Sequence, residues 1–164
     1  MSLVYRLGVP FRVQATCFRT LARLRVRVHP LDAELVARFS MKRGTFDMIR
    51  TLLCEDLHLT YVGHRYTRVA EEDRARPQED PGISAERWDL YRQLMREIGV
   101  LAMSHVGDSI TMRVSTCGSS SKGFVYSPTH RVVVSSLDQH PLPPVPHAHL
   151  ILDELWYVYY GWGS

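Results

Sequence analysis

An α+β domain, with N-terminal helices packed on a mainly antiparallel C-terminal sheet, is the architecture this sequence predicts, and three observations lead to it. Apolar residues recur at spacings of three and four as far as Gly99. Beyond Gly99 the period drops to two. The two patterns come in blocks, helices before strands, instead of alternating as a parallel sheet with crossover helices would require. A chain of 164 residues, 45% apolar and 23% charged, is sized for one domain with a substantial core.

Residues 11–39 read as one or two short helices, "RVQATCFRTLARLRVRV" and "LDAELVARF", separated at His29-Pro30, although "RLRVRV" also alternates like a strand. The next helix is expected after Gly44, capped by Thr45, with Phe46, Ile49, Leu53 and Leu57 on its core face. "HLTYVGHRYTRV" predicts two short strands around Gly63, followed by an exposed loop, "AEEDRARPQEDPG". The clearest helix begins at an N-cap Ser84, carries Trp88, Tyr91, Met95 and Ile98 on one stripe, and stops at Gly99.

Two strands then form a hairpin, "VLAMSH" and "SITMRVST", around the turn "VGD". Further strands are expected at "GFVYS", "RVVVSSL", "HAHLIL" and "LWYVYYGW". Asp153-Glu154 turns the last two back on each other, and "QHPLPPVP" is a Pro-rich connection. Residues 118–123, "GSSSKG", are expected to be a polar connection between strands, with Phe124 and Tyr126 beyond it on one face and Val125 on the other. No internal repeat is present. The organisation expected is a basic arm over residues 1–30 and a single α+β domain over residues 31–164.

Charge is uneven. The net charge is +3, but residues 1–29 hold six Arg and no acid, which leaves −3 for residues 30–164. Such an arm, through Arg19, Arg23, Arg25 and Arg27, has the charge to touch nucleic acid or an anionic membrane. No apolar run approaches the ~20 residues that span a bilayer, since Arg residues interrupt both candidates, and no transmembrane segment is expected. The three cysteines, Cys17, Cys54 and Cys117, are odd in number and widely spaced, which fits neither a disulfide framework nor a zinc site and leaves room for a single bridge.

The stretch "STCGSSSKGFVYSP" offers nucleophiles, a Lys and two Gly, but Lys122 precedes Gly123 and a strand follows, so the spacing and context of a phosphate-binding loop both fail. Cys117, or a serine of residues 119–121, could act as a nucleophile only with a histidine brought in by the fold, His147 or His149. Those two histidines share a strand face and would hold a metal only with a third convergent ligand; no metal and no cofactor are expected. Glu55-Asp56 and Glu71-Glu72-Asp73 sit where solvated helix ends and loops are expected. In "WYVYYGW", alternation puts Trp156, Val158 and Tyr160 on one face and Tyr157 and Tyr159 on the other; Tyr157, Tyr159, Trp162 and Lys122 are the expected binding residues.

The segments "ISAERWDLYRQLMREIGV", "GSSSKGFVYSP", "VVSSLD" and "LDELWYVYYGW" resemble, in order and spacing, a set of small uncharacterised bacterial proteins, over roughly residues 44–162. Their shared pattern is an Arg-and-Tyr helix, a hairpin, an S-K-G-[FYI]-x-Y-[SA] strand, an S-L-D turn and a closing W-Y-x-Y-Y strand. No activity is established for that set, and the resemblance implies none here. Many of those proteins begin with a lipoprotein signal, which implies the bacterial envelope. In this chain Arg6 and Arg12 interrupt the apolar region and "VQATC" is a poor match around Cys17, so the arm reads either as a degenerate signal or as no signal, and localisation stays open between the cytoplasm and the envelope. The function expected is a non-enzymatic protein-interaction domain, immunity-like or regulatory. The alternatives are a small hydrolase using Cys117 or a nearby Ser with a His, and a nucleic-acid or anionic-membrane binder acting through the Arg arm.

Overall fold

The computed structural model describes residues 29–70, 81–129, 131–138 and 147–162, with the side chains of His147 and Trp162 excepted. Among the described residues three helices, α1 (Asp32–Met41), α2 (Arg43–Glu55) and α3 (Ala85–Ile98), accompany strands β1 (Leu59–Gly63), β2 (Thr67–Val69), β3 (Ala102–Val106), β4 (Ser109–Cys117), β5 (Ser120–Tyr126), β6 (His147–Ile151) and β7 (Trp156–Trp162). The strands form one antiparallel sheet in the order β2-β1-β3-β4-β5-β7-β6. This is the α+β arrangement expected, helices first.

α3 forms as its sequence dictates. Ser84 accepts a hydrogen bond from the Arg87 N–H at 3.1 Å, and Gly99 closes the helix in the left-handed region at φ 66°. Trp88, Tyr91, Met95 and Ile98 are all buried, and the Trp88 indole donates to the Gly63 carbonyl at 3.1 Å, tying the helix to β1. Replacing Ser84 with Ala orphans the Arg87 N–H and is expected to lower stability by about 1 kcal/mol, read as a fall of a few degrees in a thermal melt. An unchanged melt would mean that solvent substitutes fully for the cap.

α2 differs at both ends from the expectation. It begins at Arg43, immediately after α1, so Thr45 lies inside it and its hydroxyl donates to Glu97 instead of capping. It ends at Glu55, which leaves Leu57 outside the helix and 67% exposed. Phe46, Ile49 and Leu53 face the core as expected. Phe46 packs edge-on against Phe124 (ring centroids 4.7 Å apart) and Trp156 (5.5 Å), and Phe39 of α1 completes this aromatic centre. Burial of these rings between helices and sheet is the main attachment of the two layers.

Register assigns the sheet faces. Val62, Met103, Met112, Phe124, Val158 and Leu150 lie opposite one another across successive strands and face the helices. Val125, Tyr157 and Tyr159 form a second apolar group on the other face, so the expected alternation of Phe124 and Tyr126 against Val125 holds. Between Arg113 and Ser115 the β4–β5 register shifts by a bulge. Strict period-two alternation along β4 breaks there, and Ser115 comes to lie opposite Lys122 and Tyr160 on the helix side.

Two expected elements are corrected. The connection "GSSSKG" shrinks to Gly118-Ser119, with Gly118 at φ 57°, because Ser120, Ser121, Lys122 and Gly123 belong to β5 and pair with both β4 and β7. "RVVVSSL" forms no strand beyond one parallel bridge, Val133 to His149. The N–H groups of Leu137 and Asp138 are instead directed at the carboxylate of Asp32, at 2.7 and 3.2 Å, and so leave any ladder.

Candidate functional site

Lys122 is the centre of a polar cluster joining three parts of the chain. Its ammonium lies 2.8 Å from Asp32 Oδ1 on α1 and 2.7 Å from Asp138 Oδ1 after the 131–134 segment, and it donates to the Pro30 carbonyl at 2.8 Å. Its side chain is 3% exposed. Asp32 Oδ2 also accepts from the Ser136 hydroxyl at 3.0 Å, and the Asp32 N–H donates back to Asp138 Oδ2 at 2.9 Å. Burial opposes ionisation of Asp32, but Lys122 and the N–H groups of Leu137 and Asp138 outweigh it, so its pKa lies below the ordinary carboxylate value. Lys122 thus donates to Pro30 and Asp138 and stands in ion-pair contact with Asp32, which makes it a buried clasp and not a free binding group.

Beside the clasp stands His29. Its Nδ1 lies 2.7 Å from Ser115 Oγ, its Nε2 lies 2.9 Å from Ser120 Oγ, and its ring meets Tyr160 edge-on at 5.4 Å. The hydroxyl of Ser120 donates to the Cys117 carbonyl at 2.8 Å. Burial first, and the Lys122 charge second, hold the His29 pKa below its ordinary value.

The residues singled out from sequence are dispersed by the fold. Cys117 is a half-buried free thiol, and among the described residues no histidine hydrogen-bonds it. The pairing expected with His149 thus has no hydrogen bond behind it among the described residues, and the His147 side chain lies outside them. His149 is buried on the face away from the helices, its ring edge-on to Tyr157. The side chains of His147 and Trp162 lie outside the described residues, as do Arg19, Arg23, Arg25 and Arg27. Tyr157 and Tyr159, expected as binding residues, are 3% and 7% exposed. Burial raises the Tyr159 pKa against the opposing effects of Ser121 and Arg113. Lys122, also expected at a binding surface, is buried in its clasp. Among the described residues no group of three or more His, Cys, Asp or Glu side chains converges as a metal site would require, and no helix is long and apolar enough to cross a membrane.

An open cleft of about 580 Å³ lies between α2 and the β6–β7 turn, lined by Arg43, Asp47, Arg50, Glu154, Leu155 and Trp156, together with Asp153. Arg43, Asp47 and Arg50 reach it from one helix face because they are spaced by four and three residues. The turn is held by Asp153 Oδ1, which accepts from the N–H groups of Leu155 and Trp156 at 3.1 and 3.0 Å. Arg43 is neutralised by Asp47 and Asp153. Arg50 is not neutralised. Its guanidinium sits over the Tyr126 ring at 5.3 Å and donates weakly to the Tyr126 hydroxyl at 3.4 Å, its Nε is buried without a partner, and no carboxylate among the described residues pairs with it. The sequence offered little signal for this arrangement, since Arg43 and Arg50 are two charged positions of an amphipathic helix whose partners across the cleft lie about 100 residues away.

No family model matches the chain, and no curated protein or solved structure matches it either.

Proposed function

We propose that this domain binds another protein through the cleft between α2 and the β6–β7 turn, with Arg50 receiving an acidic side chain of the partner. One observation carries the reading: Arg50 is a half-buried guanidinium on an aromatic base with no carboxylate of its own. Such a group is desolvated in advance and gains most from a planar anion, which it can meet with two parallel N–H donors. The surroundings suit a protein ligand. Asp47, Asp153 and Glu154 supply a polar rim, and Leu155 and Trp156 line the cleft beside Arg50. Aromatic and Arg anchors within a polar rim are the usual make-up of an interface centre. Occupying a partner's surface in this way is how an immunity-like or regulatory protein acts.

The test is capture from a lysate of the source cell, comparing the wild-type protein with Arg50→Glu. A partner retained by the wild type is expected to be lost on charge reversal, with at least a roughly 30-fold fall in affinity, as for an interface anchor worth ~2 kcal/mol or more. Binding is also expected to weaken between 0.05 and about 0.5 M salt, because the contact sits at an open cleft. Retention that Arg50→Glu leaves unchanged, or no partner in repeated captures, removes the reading.

A further inference from the structure

We infer that Ser115 is an acyl-accepting nucleophile whose hydroxyl is deprotonated by His29, an imidazole oriented by Ser120. The hydrogen-bond directions follow from counting protons. Ser120 has one hydroxyl proton and gives it to the Cys117 carbonyl, which can only accept. Toward His29 Nε2, 2.9 Å away, Ser120 Oγ is therefore an acceptor, and Nε2 carries the imidazole proton. Nδ1 is then the bare nitrogen, and the contact at 2.7 Å is the Ser115 hydroxyl donating to it. This is a nucleophile, a base and an orienting group in series, the arrangement that activates a serine.

The surroundings keep the base ready. The titratable groups packed around His29 are Lys122 on β5 and Tyr160 on β7, with Asp32 of α1 and Asp138 reaching it through the Lys122 clasp. Burial and Lys122 both disfavour the imidazolium, so His29 is a free base at neutral pH. Ser115 itself is half-exposed, close to the Gly118-Ser119 turn, and so is open to a small substrate. Lys122 is turned to Pro30, Asp138 and Asp32 and supplies field to the reacting group.

The substrate class is a small activated acyl ester. Ser115 Oγ bonds to the acyl carbon while its proton passes to His29 Nδ1; the ester C–O bond breaks, and the departing alkoxide takes that proton. The products are acyl-Ser115 and an alcohol, with no change of oxidation state. Water attacking the acyl-serine along the same path returns the free hydroxyl and a carboxylic acid.

The test treats the full chain with p-nitrophenyl acetate and maps acetylation by tandem mass spectrometry, with the exposed thiol Cys54 as an internal reference. Acetylation is expected at Ser115, at a rate that levels off above about pH 6.5, the ordinary histidine value below which His29 titrates. Ser115→Ala should remove that adduct, and His29→Gln should slow it at least about 10-fold without altering Cys54. Ser120→Ala, a positioning change, should slow acetylation and move the pH at which the rate levels off lower still, because the imidazolium loses the oxygen that accepts its Nε2 proton. An adduct at Ser115 no faster than in the urea-unfolded chain overturns the inference. So does a rate that tracks hydroxide from pH 6 to 8, a readout that needs no variant to fold.

Discussion

Replacing Gly123 with Ala is expected to destabilise the protein by about 3 kcal/mol or more, among the largest effects of any single methyl group here. A Cβ at this position would lie 2.1 Å from the Met112 carbonyl oxygen, 3.0 Å from the Val114 nitrogen and 3.1 Å from the Arg113 Cα. All three are backbone atoms of β4, so no side chain can rotate away to make room. The close approach is made by the bulge between Arg113 and Ser115, where β4 leans over β5. Gly123 is also paired to Tyr159 on the opposite side, so β5 cannot retreat without breaking the β5–β7 ladder. The cause is contact and not dihedral strain, since Gly123 is not among the glycines with positive φ. In a thermal melt the loss corresponds to a fall of roughly 6–12 °C for a chain of this size. Gly44→Ala is the control. Nothing lies within 4 Å of the added carbon, the residue is helical, and the substitution is expected to be neutral or to stabilise by up to about 1 kcal/mol. A Gly123→Ala melt within about 2 °C of wild type would show that the bulge relaxes freely.

How much of this was legible depended on how far apart the cooperating residues lie. α3 was legible because its cap, stripe and stop all fall between Ser84 and Gly99. The β6–β7 hairpin was legible for the same reason, since Asp153 holds the N–H groups of residues two and three positions on. Lys122 was not. In local sequence it is a Lys in a run of serines, the composition of an exposed turn, and its burial depends on Asp32 and Asp138, which only the folded chain brings to it. Ser115 could not be placed on a face either, because the bulge ends the period-two count along β4 just before it. His29 carried no signal beyond standing before Pro30, and its partners lie 86 and 91 residues away. The polar residues that build the candidate sites are therefore the ones that local patterns could not place, because their environment is set by other segments.

Lys122→Met is expected to cost about 3 kcal/mol at pH 7, and the cost is expected to shrink as the pH falls toward 4. Methionine fills much of the Lys volume, so the loss is chiefly electrostatic. Removing one partner of a buried ion pair leaves an uncompensated charge, at roughly 3–5 kcal/mol. The lower end applies because the Asp138 side chain is 31% exposed and Asp32 keeps its bonds from Ser136, Leu137 and Asp138. The Pro30 carbonyl also loses its donor. The pH dependence follows from which way each carboxyl is shifted. In the wild type the Asp32 pKa lies below its ordinary value of 3.8, so its contribution is present above about pH 4 and is lost as the pH falls through the folded value. In the variant Asp32 stays buried without the ammonium that offset its burial, which raises its folded pKa relative to the wild type and toward the unfolded value or above it. A raised carboxyl destabilises the fold at neutral pH, and that penalty fades on protonation. The wild-type and variant stabilities should thus converge between pH 7 and 4, as followed by urea unfolding at each pH. A difference below about 1 kcal/mol at pH 7 would mean that solvent reaches the clasp. A difference constant down to pH 4 would mean that the cost is packing alone, and the electrostatic account of Lys122 would fail.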